Sequence, residues 1–176
     1  MRIVHVTPFY YPVIGGVEEV VRRVAEYMAS KGSEVYVVTY NRARVGGVGR
    51  FPREEIINGV HVIRLKPNFI WSHGTFSNEL PRVLSELKPD LVHVHVWRHP
   101  HVFQVVRLKK ELGFMAILHS HAPFHRLSQL GAITWLYHRS IDLLLKGTLK
   151  EYDKLVALTP YEKNILVDKL GVKEER

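Results

Sequence analysis

The sequence predicts an α/β domain with a doubly wound, mainly parallel, Rossmann-like sheet and helices on both faces. The apolar run at residues 2–7 is typical of a buried strand, and Gly15-Gly16 opens a helix with apolar residues on one side. A second strand at residues 34–39 completes one βαβ unit. Apolar strands and capped helices keep alternating along the rest of the chain, without an internal repeat. Such alternation is the pattern of a single α/β domain.

The remaining elements are assigned from turn, cap and periodicity signals. Asn58-Gly59 between two apolar runs predicts a two-residue hairpin, so the strand at residues 60–65 is expected at the sheet edge with a short antiparallel companion. The other predicted elements are a helix capped by Ser77, strands at residues 89–95 and 114–119, a helix from Pro100 that stops at Gly113, a long helix over residues 127–149, and a last strand and helix joined at Thr159. We expect the apolar side of the long helix to pack on the core rather than to enter a membrane.

Length and composition describe one soluble domain over residues 1–176. The chain is 46% hydrophobic and 24% charged, values that are ordinary for a globular protein. No apolar run approaches the ~18 residues of a membrane span, and Met1-Arg2 leads straight into a strand without a leader. The absence of cysteine excludes disulfides, thiolate metal sites and a cysteine nucleophile. We therefore expect a cytoplasmic protein.

The net charge of +8 comes from 25 basic and 17 acidic residues. Nucleic acid, an anionic membrane surface or an anionic small molecule are the partner classes that such a charge can attract. The basic residues are scattered, and no nucleic-acid motif is present, so we expect no nucleic-acid partner. Two interpretations of the charge are left. One is a basic surface that is only solvated, and the other is attraction to a lipid-phosphate acceptor or to acidic headgroups during peripheral contact with the inner membrane face.

The first two strands and the helix between them follow a recognisable order. A strand is followed by an aromatic-proline loop at residues 8–14, by Gly-Gly-Val-Glu at residues 15–18, by an apolar helix, and by a strand that ends in Thr39. This order resembles the start of the retaining, two-domain glycosyltransferases of the GT-B fold, known as family 4 or group 1. Residues 89–95 and 118–121 resemble the fourth and fifth strands of that family, with His121 at the position of the family's histidine. Residues 153–163 resemble its sixth strand and the helix that follows.

The resemblance implies that residues 1–176 are the N-terminal, acceptor-binding half of such an enzyme. It would move a sugar from a nucleotide-sugar donor to a saccharide or lipid-linked acceptor. In that family a second Rossmann-like domain follows and carries most of the donor site, including a paired-glutamate motif that this sequence lacks. We therefore expect the isolated chain to be inactive. A non-catalytic module that binds a saccharide or a lipid is the alternative.

Three residues are the first candidates for contact with the donor. The resemblance implies that Gly15 and Gly16 touch the donor diphosphate, since glycines at a helix start let backbone N–H groups approach an anion closely. The alternative is that the two glycines form a tight strand-to-helix turn that requires glycine for packing. The resemblance places His121, the candidate catalytic residue, near the transferred sugar, where a neutral imidazole orients a hydroxyl. We do not assign it as a general base, because in this family the donor phosphate takes the acceptor proton; a structural histidine is the alternative.

Acceptor-binding residues are expected on the rim formed by the carboxyl ends of the first, fourth and fifth strands. Arginine there could hold a phosphate or carboxylate, although exposed arginine is often only solvated. The candidates are Tyr10, Tyr11, Arg98, His99, His125 and Arg126. Thr159 is expected to cap a helix first and to contact a ligand second.

Paired histidines raise the question of a metal. His93 and His95 lie on one face of their strand, as His119 and His121 do on theirs, and imidazoles are zinc ligands. A metal-dependent hydrolase is the third function class to consider. However, no acidic residue occurs between Leu91 and Lys110, and the metallohydrolase pattern His-x-His-x-Asp-His is absent. We expect no metal and no cofactor, because the nucleotide sugar is a substrate.

Overall fold

A computed structural model describes residues 1–43, 49–71, 74–121 and 131–173. Its strands are β1 (Arg2–Val6), β2 (Glu34–Tyr40), β3 (Glu54–Ile57), β4 (Val60–Leu65), β5 (Phe69–Trp71), β6 (Gly74–Phe76), β7 (Leu91–His95), β8 (Met115–His119) and β9 (Lys154–Val156). Its helices are α1 (Gly16–Ser30), α2 (Leu80–Leu87), α3 (Pro100–Leu112), α4 (Ala132–Leu145) and α5 (Pro160–Asp168), with a 3₁₀ segment at Lys146–Glu151.

Seven strands form one sheet in the order β3-β4-β2-β1-β7-β8-β9. All neighbours in it are parallel except β3 and β4, so the predicted doubly wound, mainly parallel sheet is confirmed. Asn58 and Gly59 have φ values of 49° and 81°, which a type I′ hairpin turn requires at its two central positions. The predicted hairpin is therefore confirmed, and its short companion β3 forms the edge. A separate two-stranded ribbon of β5 and β6 was not predicted.

Helices cover both faces of the sheet. On one face, α2, α3 and α5 pack against alternate strand residues; this larger cluster includes Val4, Val6, Val92, Val94, Ala116 and Leu118 from β1, β7 and β8. On the opposite face, Val21 and Ala25 of α1 pack against Val37 of β2 and Val62 of β4. The predicted helices on both faces are therefore confirmed. Among the described residues, this second cluster contains none from β7, β8 or β9.

Of the two helix caps predicted at Thr159 and Ser77, the first is confirmed and the second is not. Thr159 Oγ1 accepts from the backbone N–H of Glu162 at 3.1 Å, and α5 begins at Pro160 as expected. The carboxylate of Glu162 accepts from the N–H of Leu158 at 2.8 Å, one residue earlier than a standard capping box. Ser77 lies three residues before α2 begins, with Oγ accepting from the N–H of Glu79 at 3.2 Å, so that cap was placed too close to the helix.

The long helix differs most from its prediction. Helix α4 ends at Leu145 and continues as 3₁₀ turns, while residues 127–130 lie outside the described part of the chain. Ile133 and Leu144 are 87% and 81% exposed, so the expected core packing is wrong for them, and Ile141 is the α4 residue that packs on the larger cluster. Among the described residues, no helix is long and apolar enough to cross a membrane.

Candidate active site

Five histidines line one face of three adjacent strands. Because β1, β7 and β8 are parallel neighbours, their carboxyl ends meet at one edge of the sheet. Strand register pairs His5 with His93 and His95 with His119, and paired residues of parallel strands point to the same side. The histidine side is the face that carries Val37, so it is also the α1 side. The cluster, called the histidine face below, consists of His5, His93, His95, His119 and His121.

Two hydrogen bonds join three of these rings into a chain. Nδ1 of His5 lies 3.1 Å from Nε2 of His95, and Nδ1 of His95 lies 3.1 Å from Nε2 of His121. The ring of His119 stacks on that of His121 with centroids 3.8 Å apart. His93 and His119 are nearly parallel, with centroids 5.8 Å apart. The histidine face is therefore one contiguous layer of imidazoles.

Burial keeps these imidazoles neutral. Desolvation lowers the pKa of His5 to about 4 and that of His93 to about 3, and it holds the pKa of His95 well below its usual value. Desolvation, with repulsion from His119 and His93, lowers the pKa of His121 to about 3. A neutral imidazole has one N–H donor and one acceptor nitrogen. His121 is therefore uncharged at neutral pH, as the orienting role predicted for it requires.

The backbone beside the histidine face is strained. Val96, Arg98 and His121 have φ values of 71°, 71° and 40°, in the left-handed region that non-glycine residues adopt rarely. The N–H of Val96 donates to the carbonyl of His119 at 3.0 Å, and that of Trp97 donates to the carbonyl of Ser120 at 2.8 Å. These bonds hold a conformation that costs on the order of 1–3 kcal/mol per residue, and such strain concentrates at functional sites.

Asp142 of α4 ties this strained segment to the rest of the domain. Its carboxylate accepts from Nε1 of Trp97 at 2.9 Å and from Nε and Nη2 of Arg98 at 2.9 and 2.8 Å. Both side chains of the Arg98–Asp142 ion pair are less than 10% exposed. The guanidinium of Arg98 is therefore committed to an internal pair. This geometry gives no support to the expectation that Arg98 holds an acceptor anion.

Gly15 and Gly16 lie at the start of α1, as predicted. Gly15 is the N-cap with an extended backbone, and a Cβ added to Gly16 would meet nothing within 4 Å. Neither a left-handed conformation nor close packing in this chain requires glycine at position 16. The packing alternative therefore has no support at Gly16, and the space beside the helix start is open to a ligand. The contact of both glycines with a donor diphosphate remains a prediction.

The remaining candidate residues for acceptor and ligand binding differ in how exposed they are. Tyr10 is 2% exposed and belongs to the core cluster under α1, so its ring is not presented as an acceptor contact. Tyr11 is 50% exposed, and His99 is buried at the N-cap of α3. His125 and Arg126 lie outside the described residues. Thr159 is exposed beside a cavity of about 500 Å³ between β9 and α5, and its ligand contact stays a prediction.

Sequence reasoning missed two members of the site. His5 has the same strand alternation as the other histidines, but only the position of β1 next to β7 brings it to His95. No sequence pattern predicted a role for Asp142, because it is a single acidic residue on a predicted apolar helix. Ser120 donates through Oγ to the buried carboxylate of Glu162, a contact that was also not predicted.

A doubly wound domain whose glycine-led helix and polar side chains meet at the carboxyl ends of the strands belongs to the Rossmann-like ligand-binding proteins. Within that class, residues 14–176 match the protein family described as Glycosyltransferase Family 4. The chain belongs to this family, and the resemblance noted from its motifs is confirmed.

Two curated relatives carry the same description, GDP-mannose:cellobiosyl-diphosphopolyprenol alpha-mannosyltransferase. The protein from Xanthomonas oryzae pv. oryzae (strain PXO99A) is 35% identical over 98 residues, and the one from Xanthomonas campestris is 32% identical over 98 residues. In each case the match covers 54% of this chain and 24% of the relative. The match therefore spans about a quarter of the length of these relatives.

Solved structures confirm the fold. Sucrose-phosphate synthase (tll1590) from Thermosynechococcus elongatus superposes with a TM-score of 0.71 at 15% identity, over 96% of this chain and 45% of that one. An alpha,alpha-trehalose 6-phosphate synthase from Burkholderia multivorans gives a TM-score of 0.55 at 15% identity, over 97% of this chain and 42% of that one. At this identity the likeness concerns the fold alone.

Proposed function

We propose that this chain is the acceptor-side half of a retaining glycosyltransferase that uses a nucleotide-sugar donor. The family match over residues 14–176 is the observation that carries the proposal. The match covers only part of the relatives and of the solved structures, which supports the proposal that transfer requires a donor-binding half outside this chain. The non-catalytic alternative has no specific observation in its favour.

The helix start supports a diphosphate contact. The first N–H groups of α1 have no partner within the helix, and the positive end of its dipole favours an anion. Helix α1 and the histidine face share one side of the sheet, and α1 begins in the loop that leaves the carboxyl end of β1. A donor diphosphate bound at Gly15 and Gly16 would therefore have its sugar on the side where His121 lies.

In the proposed reaction, the acceptor hydroxyl attacks the anomeric carbon on the face from which the donor phosphate departs. The C–O bond to the phosphate breaks, and a phosphate oxygen takes the hydroxyl proton. His121 orients a sugar hydroxyl by a hydrogen bond. With a pKa of about 3, it is a weak base at neutral pH and a poor choice for taking that proton.

The names of the relatives suggest the substrate classes. Both act with GDP-mannose on a saccharide linked to diphosphopolyprenol. We propose a sugar nucleotide donor, with GDP-mannose tested first, and a lipid-linked saccharide acceptor. The net charge of +8 favours an acceptor that carries a diphosphate. Peripheral contact with an acidic membrane would follow from such an acceptor.

The first test uses the complete coding product that contains this chain. Purified protein is incubated with labelled GDP-mannose, UDP-glucose or other nucleotide sugars and a diphosphopolyprenol-linked disaccharide, and the anomeric configuration of the product is determined by NMR. We expect transfer with retention by the complete protein and none by residues 1–176 alone. Transfer by the isolated chain at an ordinary enzymatic rate, or an inverted product, would contradict the proposal.

His121→Ala tests the role of that residue in the same complete protein. We expect kcat/KM to fall about tenfold or more, the effect of losing one hydrogen bond in the transition state, with a smaller loss of stability. His61→Ala, on β4 at the far side of the sheet, is the matched control and should retain activity. An unchanged rate for His121→Ala, with the protein folded, would make His121 a structural residue.

A further inference from the structure

The histidine face contains two overlapping groups of potential metal ligands. Among the described residues, His5, His93 and His95 form one group, and His95, His119 and His121 form the other. Within each group, one ring nitrogen per residue lies within 4.8 Å of the others. His95 belongs to both groups.

We propose that His95, His119 and His121 bind one transition-metal ion of the Zn²⁺ type. Three imidazoles without a carboxylate or a thiolate suit Zn²⁺, Ni²⁺, Cu²⁺ or Co²⁺ and do not suit Mg²⁺ or Ca²⁺, which prefer oxygen ligands. Three protein ligands with a fourth position left for water or substrate is the usual arrangement of an open zinc site.

The ring positions already approach those of a metal-bound group. Nδ1 of His95 and Nε2 of His121 are 3.1 Å apart. Two nitrogens bound tetrahedrally to zinc at about 2.0–2.1 Å are separated by roughly 3.4 Å. This pair of nitrogens therefore needs to open by only a few tenths of an ångström, and the stacked rings of His119 and His121 must turn so that their lone pairs converge on the ion. Nε2 of His119 is buried and has no hydrogen-bond partner among the described residues, so it is available as the third ligand.

Neighbouring groups supply the outer contacts that metal-binding histidines usually have. If His95 binds through Nδ1, its proton lies on Nε2 and is donated to Nδ1 of His5, 3.1 Å away. The carboxyl group of Glu162 accepts from Oγ of Ser120, the residue between His119 and His121 in the chain, and so holds the segment that carries two of the ligands.

The second group is the better site because of where it lies. His95, His119 and His121 are all less than 10% exposed. His95 and His119 end β7 and β8, and His121 follows β8 by two residues, at the carboxyl edge where ligands bind in this fold class. His93 lies two residues earlier in β7 and is only half-buried. The sequence-based expectation of no metal rested on the absence of a nearby acidic residue and of the metallohydrolase pattern. Three imidazoles need no carboxylate to bind such an ion, and the parallel register places His95 beside His119.

A metal at this position would also determine the proton position on His121. Binding through Nε2 leaves the proton of the neutral ring on Nδ1. The ring would then present a fixed N–H donor. The metal proposal itself does not depend on glycosyl transfer, and it is tested without an activity assay.

The test uses the tag-free 176-residue chain after chelator treatment, titrated with Zn²⁺ and with Co²⁺ as a spectroscopic probe. We expect one equivalent to bind and the Co²⁺ complex to show the intense visible absorption of a four-coordinate site. H119Q and H121Q should weaken binding more than about 100-fold, beyond the 10–100-fold typical of outer contacts, and H5Q should weaken it about tenfold. H93Q is the matched control, since His93 stacks on His119 but belongs to the other group, and it should bind within about threefold of wild type.

A second measurement on the wild-type chain covers the case in which a variant fails to fold. X-ray absorption of the Zn²⁺ complex should show three imidazole ligands at about 2.0–2.1 Å, and Zn²⁺ but not Mg²⁺ should raise Tm. Absence of stoichiometric binding, fewer than three imidazoles in the spectrum, or a loss of binding in H93Q but not in H121Q would each overturn the proposal.

Discussion

The two faces of strands β1, β7 and β8 have opposite compositions. Facing α2 and α3 are Val4, Val6, Val92, Val94, Ala116 and Leu118, all of them fully buried. On the other face of the same strands, the side chains near the carboxyl edge are imidazoles. One set of backbone hydrogen bonds thus supports an apolar layer and a polar layer, because strand side chains alternate. The difference indicates that the first layer stabilises the domain, and we propose that the second binds ligands.

The largest expected effect is on the apolar face. Leu118→Ala removes a fully buried side chain and leaves a cavity, so the free energy of unfolding should fall by about 3–4 kcal/mol. Urea unfolding followed by circular dichroism measures it. Leu144→Ala, at an 81% exposed position of α4, is the matched control and should change stability by no more than about 0.5 kcal/mol. Equal losses in both variants would mean that α4 is packed in solution.

The buried ion pair between Arg98 and Asp142 should contribute nearly as much to the free energy of unfolding. Asp142→Ala leaves the buried guanidinium of Arg98 without its carboxylate, and we expect a loss of about 3 kcal/mol. Glu86→Ala, which removes the exposed partner of Arg82, should cost less than about 0.5 kcal/mol. A small effect of Asp142→Ala on the unfolding midpoint would show that the strained segment at Val96 and Arg98 holds without this anchor.

On the histidine face, stability should respond weakly. Nε2 of His93 is buried without a hydrogen-bond partner among the described residues. Burial of this atom costs desolvation free energy that no hydrogen bond offsets, and His93→Leu removes that cost. We expect the free energy of unfolding to stay within about 1 kcal/mol of wild type or to rise. A loss as large as that of Leu118→Ala would refute the division between the two faces.

The smallest expected effect on stability is at the start of α1. Gly16→Ala should be neutral or stabilising by about 0.5 kcal/mol, since the added methyl group meets no neighbour. Gly113→Ala, at a φ of 76° after α3, should instead destabilise by about 1 kcal/mol. In the complete protein, Gly16→Ala should still weaken nucleotide-sugar binding, measured by calorimetry, because the methyl group occupies the proposed path of the diphosphate. Unchanged donor affinity would remove Gly16 from the site.

Local signals in the sequence determined the strands of the seven-stranded sheet, the Asn58-Gly59 hairpin, the cap at Thr159 and the glycine-led start of α1. Each depends on residues within a few positions of one another, so periodicity and turn chemistry predict it. The fold class followed from the alternation of these elements, and the candidate position of His121 followed from the family motif.

Only the tertiary structure decided which distant residues become neighbours. The order β1-β7-β8 brought His5 to His95 across ninety positions of sequence, and Asp142 met Arg98 across forty-four. It also buried Tyr10, which was expected on the acceptor rim, and left Ile133 exposed, which was expected in the core. A local pattern shows that a side chain is apolar or titratable. Its neighbours, and therefore its burial, pKa and possible ligands, depend on how the sheet is assembled.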